Sequence, residues 1–284
     1  MNYPQTRRRA LHYDPCRYGQ SRINFRGPKR RTNGRYIAFL GGTETYGKFI
    51  VAPFIDLTEE LLSIPCVNFG CMNAGVDVFL QDPDVMSIAA GAEITVIQVL
   101  GAHNMSNRYY RVHPRRNDRF LDPSALMESV FRDVDFAEYH FTRHLLQGIE
   151  QRAPDRFSFM REELRSAWMA RMQTLIEQLP GKKVLLWFAP HSPPTTPITS
   201  ADGPEPLFVD AAMLDRLRPM VDGVVQVRLS REARVAGTVG MVFAPHEKQM
   251  AAQMLGPQAH DEAARSLIKV LRPLLPNAQK QRPA

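Results

Sequence analysis

The sequence predicts an α/β protein built on a parallel sheet of about five strands flanked by helices. Three observations carry this. Five short, apolar, β-branched runs bounded by turn residues recur along the 284-residue chain, the pattern of strands buried on both faces. Between them lie segments with apolar residues near 3.6 spacing, as right-handed strand–helix–strand crossovers require. Small polar residues gather just after the apolar runs, which themselves nearly lack them, and open parallel sheets bind ligands at that edge.

The expected strands are "RYIAFLG" (35–41), "IPCVNFG" (64–70), "ITVIQVLG" (94–101), "KKVLLWFAP" (182–190) and "DGVVQVRLS" (222–230). Helical patterns occupy 48–63, 76–91 with a break at Pro83, 208–220, 246–255 and 260–275. The stretch 123–179 reads as two or three helices and as an insertion between the third and fourth strands. The Pro-, Thr- and Ser-rich "HSPPTTPITSADGPEP" (191–206) must be a loop, hanging over the carboxyl edge of the sheet. A single domain is expected over 36–276, after a basic arm at 1–35 and before a frayed tail at 277–284.

Hydrophobic content of 44% and charged content of 23% are those of a soluble globular protein. No apolar run approaches the length of a membrane span, and the arginines of the N-terminus precede no apolar segment of a secretory signal. A cytoplasmic location is the expectation. Cys16, Cys66 and Cys71 are odd in number and lack metal-like spacing, which fits reduced thiols and predicts no metal. The net charge of +7 is concentrated: residues 1–35 carry ten Arg/Lys against Asp14 alone, so the remaining chain is slightly acidic. Such an arm can touch nucleic acid or anionic lipid. Nucleic-acid recognition is not expected, because no RRM, KH or helix-turn-helix pattern occurs, and the arm's Tyr13, Tyr18 and Phe25 point to packing on the domain.

The corner after the first strand, "GGTETYG" (41–47), admits three readings. A P-loop fails because Lys48 is followed by Phe49 rather than Ser or Thr. A dinucleotide fingerprint fails on glycine spacing, and no acid ends the second strand. A hydroxyl nucleophile on a strand-to-helix turn survives, with nearby N–H groups for an oxyanion. The bland alternative for Thr43 is a helix N-cap.

At these residues the sequence resembles the SGNH (GDSL) esterases and lipases, hydrolases on a flavodoxin-like sheet. "FLGGTETYG" aligns with their "GDSxTxG" block, "VNFGCMNAG" with the second block and "VIQVLGAHN" with the third, and "PQAHDEAARSLIKVL" carries a histidine where they have "DxxH". The resemblance spans roughly residues 36–275. It implies Thr43 as nucleophile and His260 as general base, with Gly70 and Asn104 as oxyanion donors, no cofactor, and carbohydrate deacetylation as the natural activity. Gly42 and His103 flank these positions as further binding candidates. Four departures stand out: threonine replaces the serine, Gly42 the following acid, Pro257 the triad aspartate, and Asn104 comes one residue late. His246 and His191 rival His260. The phrases "GAHNMSNRYYRVHPRRNDRF" and "MLGPQAH" are also similar to a bacterial domain family of this length, a resemblance that implies no activity.

The segment 104–120 adds an arginine-rich loop, with Arg108, Arg111, Arg115 and Arg116 beside Tyr109, Tyr110 and His113. Arginine forks recognise phosphate, sulfate and carboxylate, so a small-molecule or glycan-type anionic substrate is expected. Three readings follow: an SGNH-like hydrolase or acyl transferase; a non-catalytic descendant binding an acidic glycan or protein partner; and a transferase with a phosphorylated or sulfated donor.

Overall fold

The computed structural model describes residues 11–276. Its main sheet holds β1 (Ile37–Gly41), β2 (Cys66–Gly70), β3 (Ile94–Gln98), β6 (Lys182–Trp187) and β7 (Gly223–Gln226). These are the five expected strands. All pairs are parallel, in the order β2-β1-β3-β6-β7, which is the flavodoxin-like order with its switch point between β1 and β3. β3, β6 and β7 end earlier than the apolar runs do: β7 stops at Gln226, and Ser230 instead caps a short helix through its hydroxyl.

The helices are α1 (Thr43–Tyr46), α2 (Phe54–Leu62), α3 (Asp77–Leu80), α4 (Pro83–Gly91), α5 (Ala125–Val130), α6 (Thr142–Arg152), α7 (Pro154–Glu177), α8 (Ala211–Leu217), α9 (Arg231–Ala236), α10 (Lys248–Ala251) and α11 (Pro257–Leu274). Alternating strand residues separate two cores. Ala38, Leu40, Phe69, Ile97 and Trp187 share one core with Leu164, Trp168 and Met172 of α7. Ile37, Phe39, Val96 and Leu186 face α2 and α11, where Ala259, Ala263, Leu267 and Leu271 form one i, i+4 stripe. Among the described residues no helix is long and apolar enough to cross a membrane.

Two expectations change. The arginine-rich "loop" is an antiparallel hairpin, β4 (Tyr110–His113) with β5 (Arg116–Pro123). Its arginines hid a period-2 pattern in which Tyr110, Val112 and Phe120 turn inward. The stretch 123–179 is more than an insertion: α7 is the crossover that parallel β3 and β6 need, tied to the sheet by Trp168 Nε1 donating to Leu100 O at 2.9 Å. Part of the basic arm packs on the domain, as its aromatic residues predict. Tyr18, Ile23 and Phe25 join the core on Phe69, and the buried Arg26 donates to Gly47 O at 2.6 Å and Val51 O at 2.8 Å. Residues 1–10 of the arm and the tail expected at 277–284 lie outside the described residues.

Candidate active site

The corner after β1 is held by two amide side chains that interrupt otherwise apolar strands. Gln98 Oε1, at the end of β3, accepts from Gly42 N at 3.0 Å and from Thr45 Oγ1 at 2.6 Å. Asn68 in β2 donates to Thr45 O at 3.0 Å and accepts from Gly70 N at 2.7 Å. Both are buried, so each is a polar group inside the sheet whose partners specify the turn. The same bonds occupy the N–H groups of Gly42 and Gly70, two of the groups that the sequence offers at this corner for oxyanion or substrate binding.

Thr43, the first residue of α1, is partly exposed, and its hydroxyl turns toward the loop after β2. Thr43 Oγ1 accepts from Asn73 N at 3.0 Å and donates to Asn73 Oδ1 at 3.3 Å. Asn73 Nδ2 in turn donates to Asp118 Oδ2 of the hairpin at 3.0 Å. Asn104 gives one amide proton to Asn73 O at 3.2 Å, while its oxygen accepts from Thr142 Oγ1 at 2.6 Å. Thr43, Asn73, Asn104 and Asp118 are thus one hydrogen-bonded group at the switch point, drawn from β1, β2, β3 and the hairpin.

His260 is fully buried between Phe54, stacked at 5.7 Å, and Phe188, edge-on at 5.1 Å. The structure pairs it with Glu44 rather than with Thr43. Its Nδ1 accepts from Phe54 N at 3.1 Å, and its Nε2 lies 3.8 Å from Glu44 Oε2. Burial lowers the imidazole to about 3, with Arg26 contributing in the same direction, and burial raises the Glu44 carboxyl to about 8.

These shifts have opposite consequences for stability. Folded Glu44 keeps a proton that the unfolded chain releases above the ordinary 4.5, so its contribution weakens stability as pH rises to about 8. Folded His260 refuses a proton that the unfolded chain takes up below 6.5, so stability falls as pH drops to about 3. Between 4.5 and 6.5 the two cancel. Urea unfolding is expected to show a plateau there, with losses on the order of 2 kcal/mol toward each side. Glu44→Gln is expected to flatten the alkaline limb and, with the cancellation gone, to extend the acidic rise up to 6.5.

His103, after β3, is buried with Nδ1 lacking a partner and Nε2 3.4 Å from Glu205 Oε1, an oxygen that Arg143 also approaches at 3.4 Å. It is committed to the proline-rich loop. His191 lies between two carbonyls, Ser192 O and Glu205 O, both at 2.9 Å, and His246 is exposed on a 3-10 turn at Pro245–Glu247. Of the four expected anion ligands, Arg108 pairs with Glu163 and Arg111 bidentately with Asp122. Folding the segment into a hairpin brings those acids alongside. Arg115 and Arg116, at its turn, are exposed and make no ion pair among the described residues. A cavity of about 670 Å³ lies away from the corner, lined by Phe120, Phe131, Phe136 and Tyr139 of the hairpin region. No group of three His, Cys, Asp or Glu side chains suited to a metal occurs among the described residues.

A family model described as "Domain of unknown function (DUF6473)" matches residues 1–275. The chain belongs to the DUF6473 family. The comparison with curated proteins finds no match. Among solved structures, the DUF6473 chain is similar to the lipase Lip_vut3 from a goat rumen metagenome, at 11% identity and a TM-score of 0.36, over 84% of this chain and 97% of that one. It is also similar to a family two carbohydrate esterase from Clostridium thermocellum, at 11% identity and a TM-score of 0.41, over 89% and 68% of the chains. A gut microbial diltiazem-metabolizing enzyme is similar at 13% identity and a TM-score of 0.41, over 86% and 48%. The DUF6473 site rests on this chain's own residues. Sequence reasoning missed Gln98, Asn68, Asp118 and the partnership of Glu44 with His260. An amide inside an apolar strand was the available signal for the first two; the others come from distant segments meeting in space.

Proposed function

We propose that this chain is an SGNH-like hydrolase or acyl transferase acting on an ester of an anionic or carbohydrate-type substrate. The observation that supports it is the placement of Thr43, a partly exposed hydroxyl at the switch point, with a buried histidine–carboxyl pair on the neighbouring residue. Thr43 Oγ1 attacks the acyl carbon. Asn73 N–H already points at that oxygen and fixes its direction, and Asn104 keeps a second amide proton for the developing oxyanion. The hairpin docks on this corner through Asp118, and through Asn117 Oδ1, which accepts from Gly75 N at 3.0 Å and Val78 N at 3.1 Å. That docking sets Arg115 and Arg116 at its rim as the anion-recognising groups.

The test is turnover of p-nitrophenyl acetate and of acetylated sugars by the purified chain, lost in Thr43→Ala. Arg115→Ala with Arg116→Ala is expected to raise KM for a sulfated or carboxylated ester about tenfold, as loss of charge-assisted hydrogen bonds does. KM for neutral p-nitrophenyl acetate should stay unchanged in the same initial-rate assay. One observation favours the second reading, a non-catalytic cleft: the N–H groups of Gly42 and Gly70 are both satisfied internally. No turnover by the wild-type chain, with calorimetric binding of an anionic oligosaccharide that the double arginine variant loses, would select it.

A further inference from the structure

Gln98 is the last residue of β3 and the one amide side chain of that strand. Its carboxamide is fixed in orientation, because Oε1 accepts from Gly42 N at 3.0 Å and from Thr45 Oγ1 at 2.6 Å. A backbone N–H can only donate, so the atom facing Gly42 is the oxygen and Nε2 points the opposite way. Gly41 makes room for this group: a Cβ there would lie 2.6 Å from Gln98 Oε1 and 2.0 Å from Thr45 Oγ1.

The two protons on Nε2 meet no acceptor among the described residues. Among those residues the fully buried side-chain atoms without a partner are His103 Nδ1 and His260 Nε2. Gln98 Nε2 is therefore an atom that still reaches solvent, in a residue only 7% exposed. The route to it is narrow. β3 lies between β1 and β6, and separate cores cover the two faces of the sheet. The opening that remains is the carboxyl edge between β1 and β3, the switch point at which open parallel sheets take their ligands.

We propose that Gln98 contacts the substrate of this site: Nε2 donates to an acceptor oxygen of the ester, and the Gly42 N–H and Thr45 hydroxyl aim it. The proposal rests on the acyl-transfer reading above. It accounts for a backbone donor that is spent inside the protein. Gly42 gives its N–H to Gln98, and the amide offers N–H groups to the ligand in return. A carboxamide suits the place because one end accepts, the other donates, and neither carries a charge. A ligand without an oxygen at this point leaves a nearly buried donor unpaired, which disfavours it.

Gln98→Glu isolates the donor, since a carboxylate keeps an acceptor for Gly42 N and Thr45 Oγ1 and loses only the N–H groups. On p-nitrophenyl acetate at about pH 8, where a carboxyl that reaches solvent is ionised, it is expected to lose about tenfold or more in kcat/KM. Its thermal melt should stay close to wild type. Gln98→Met lacks both ends of the amide and is expected to lose activity and to melt lower. NMR of wild-type protein carrying isotope-labelled glutamine gives a reading that no variant's folding can disturb. There the Gln98 Nε2 proton pair should shift on titration with acetate, the product acid. Wild-type kcat/KM in a folded Gln98→Glu, or Nε2 protons unmoved by acetate, overturns the proposal. Turnover lost in Thr43→Ala yet intact in Gln98→Glu overturns the role of Gln98 alone. Absence of any wild-type turnover removes the acyl-transfer reading and this role with it.

Discussion

Thr43→Ala is expected to lower ester turnover by about 10³-fold or more, the scale of losing a nucleophile, with little change in folding. The hydroxyl reaches only Asn73, a residue exposed to solvent, so its loss removes bonds worth about 1 kcal/mol. Thr43→Ser keeps the attacking oxygen and relieves the methyl that crowds it, and is expected to match or exceed the wild-type rate. Initial rates on p-nitrophenyl acetate beside a thermal melt separate chemistry from stability. Turnover in Thr43→Ala equal to wild type would remove Thr43 from the mechanism.

Gly75→Ala is expected to be the most damaging small change at the site. A Cβ built on Gly75 would lie 1.4 Å from Asn104 O, and that neighbour is backbone rather than a side chain that can swing away. The loops after β2 and β3 would have to separate. Overpacking of this kind costs about 3 kcal/mol, toward the upper end of such changes. The separation also breaks the Asn104 Nδ2 to Asn73 O bond and frees Asn73 from Thr43. Chemical denaturation should therefore show a lowered midpoint, and activity should fall further than stability predicts. An unshifted midpoint would mean that the two loops do not approach as described.

The five strands and most helices were legible because burial on both faces requires continuous apolar runs, and crossover helices require 3.6 periodicity. The hairpin was not, since β4 is short and the outward faces of both strands carry the arginines that dominate the composition. The corner at Thr43 was legible as a candidate site for a related reason: polar residues are rare in buried strands and collect where strands end. The pairing of its members was not. Thr43 and His260 stand in the order that a familiar esterase pattern demands, but Pro257 replaces the orienting aspartate and the Phe54 N–H takes its place on the ring. Likewise two of the four arginines chosen as anion ligands are neutralised by Glu163 and Asp122, partners visible only once the chain is folded.

By itself the sequence determined the α/β class and the order of the five main-sheet strands and most helices, and it marked the corner at Thr43 as a candidate site. These depend on local pattern and on the periodicity of burial, which neighbouring residues carry. The tertiary structure decided which histidine meets which carboxyl, which N–H groups are already satisfied, and which arginines remain free. Hydrogen bonds and ion pairs are short-ranged, so their partners follow from which distant segments come within about 3 Å of one another.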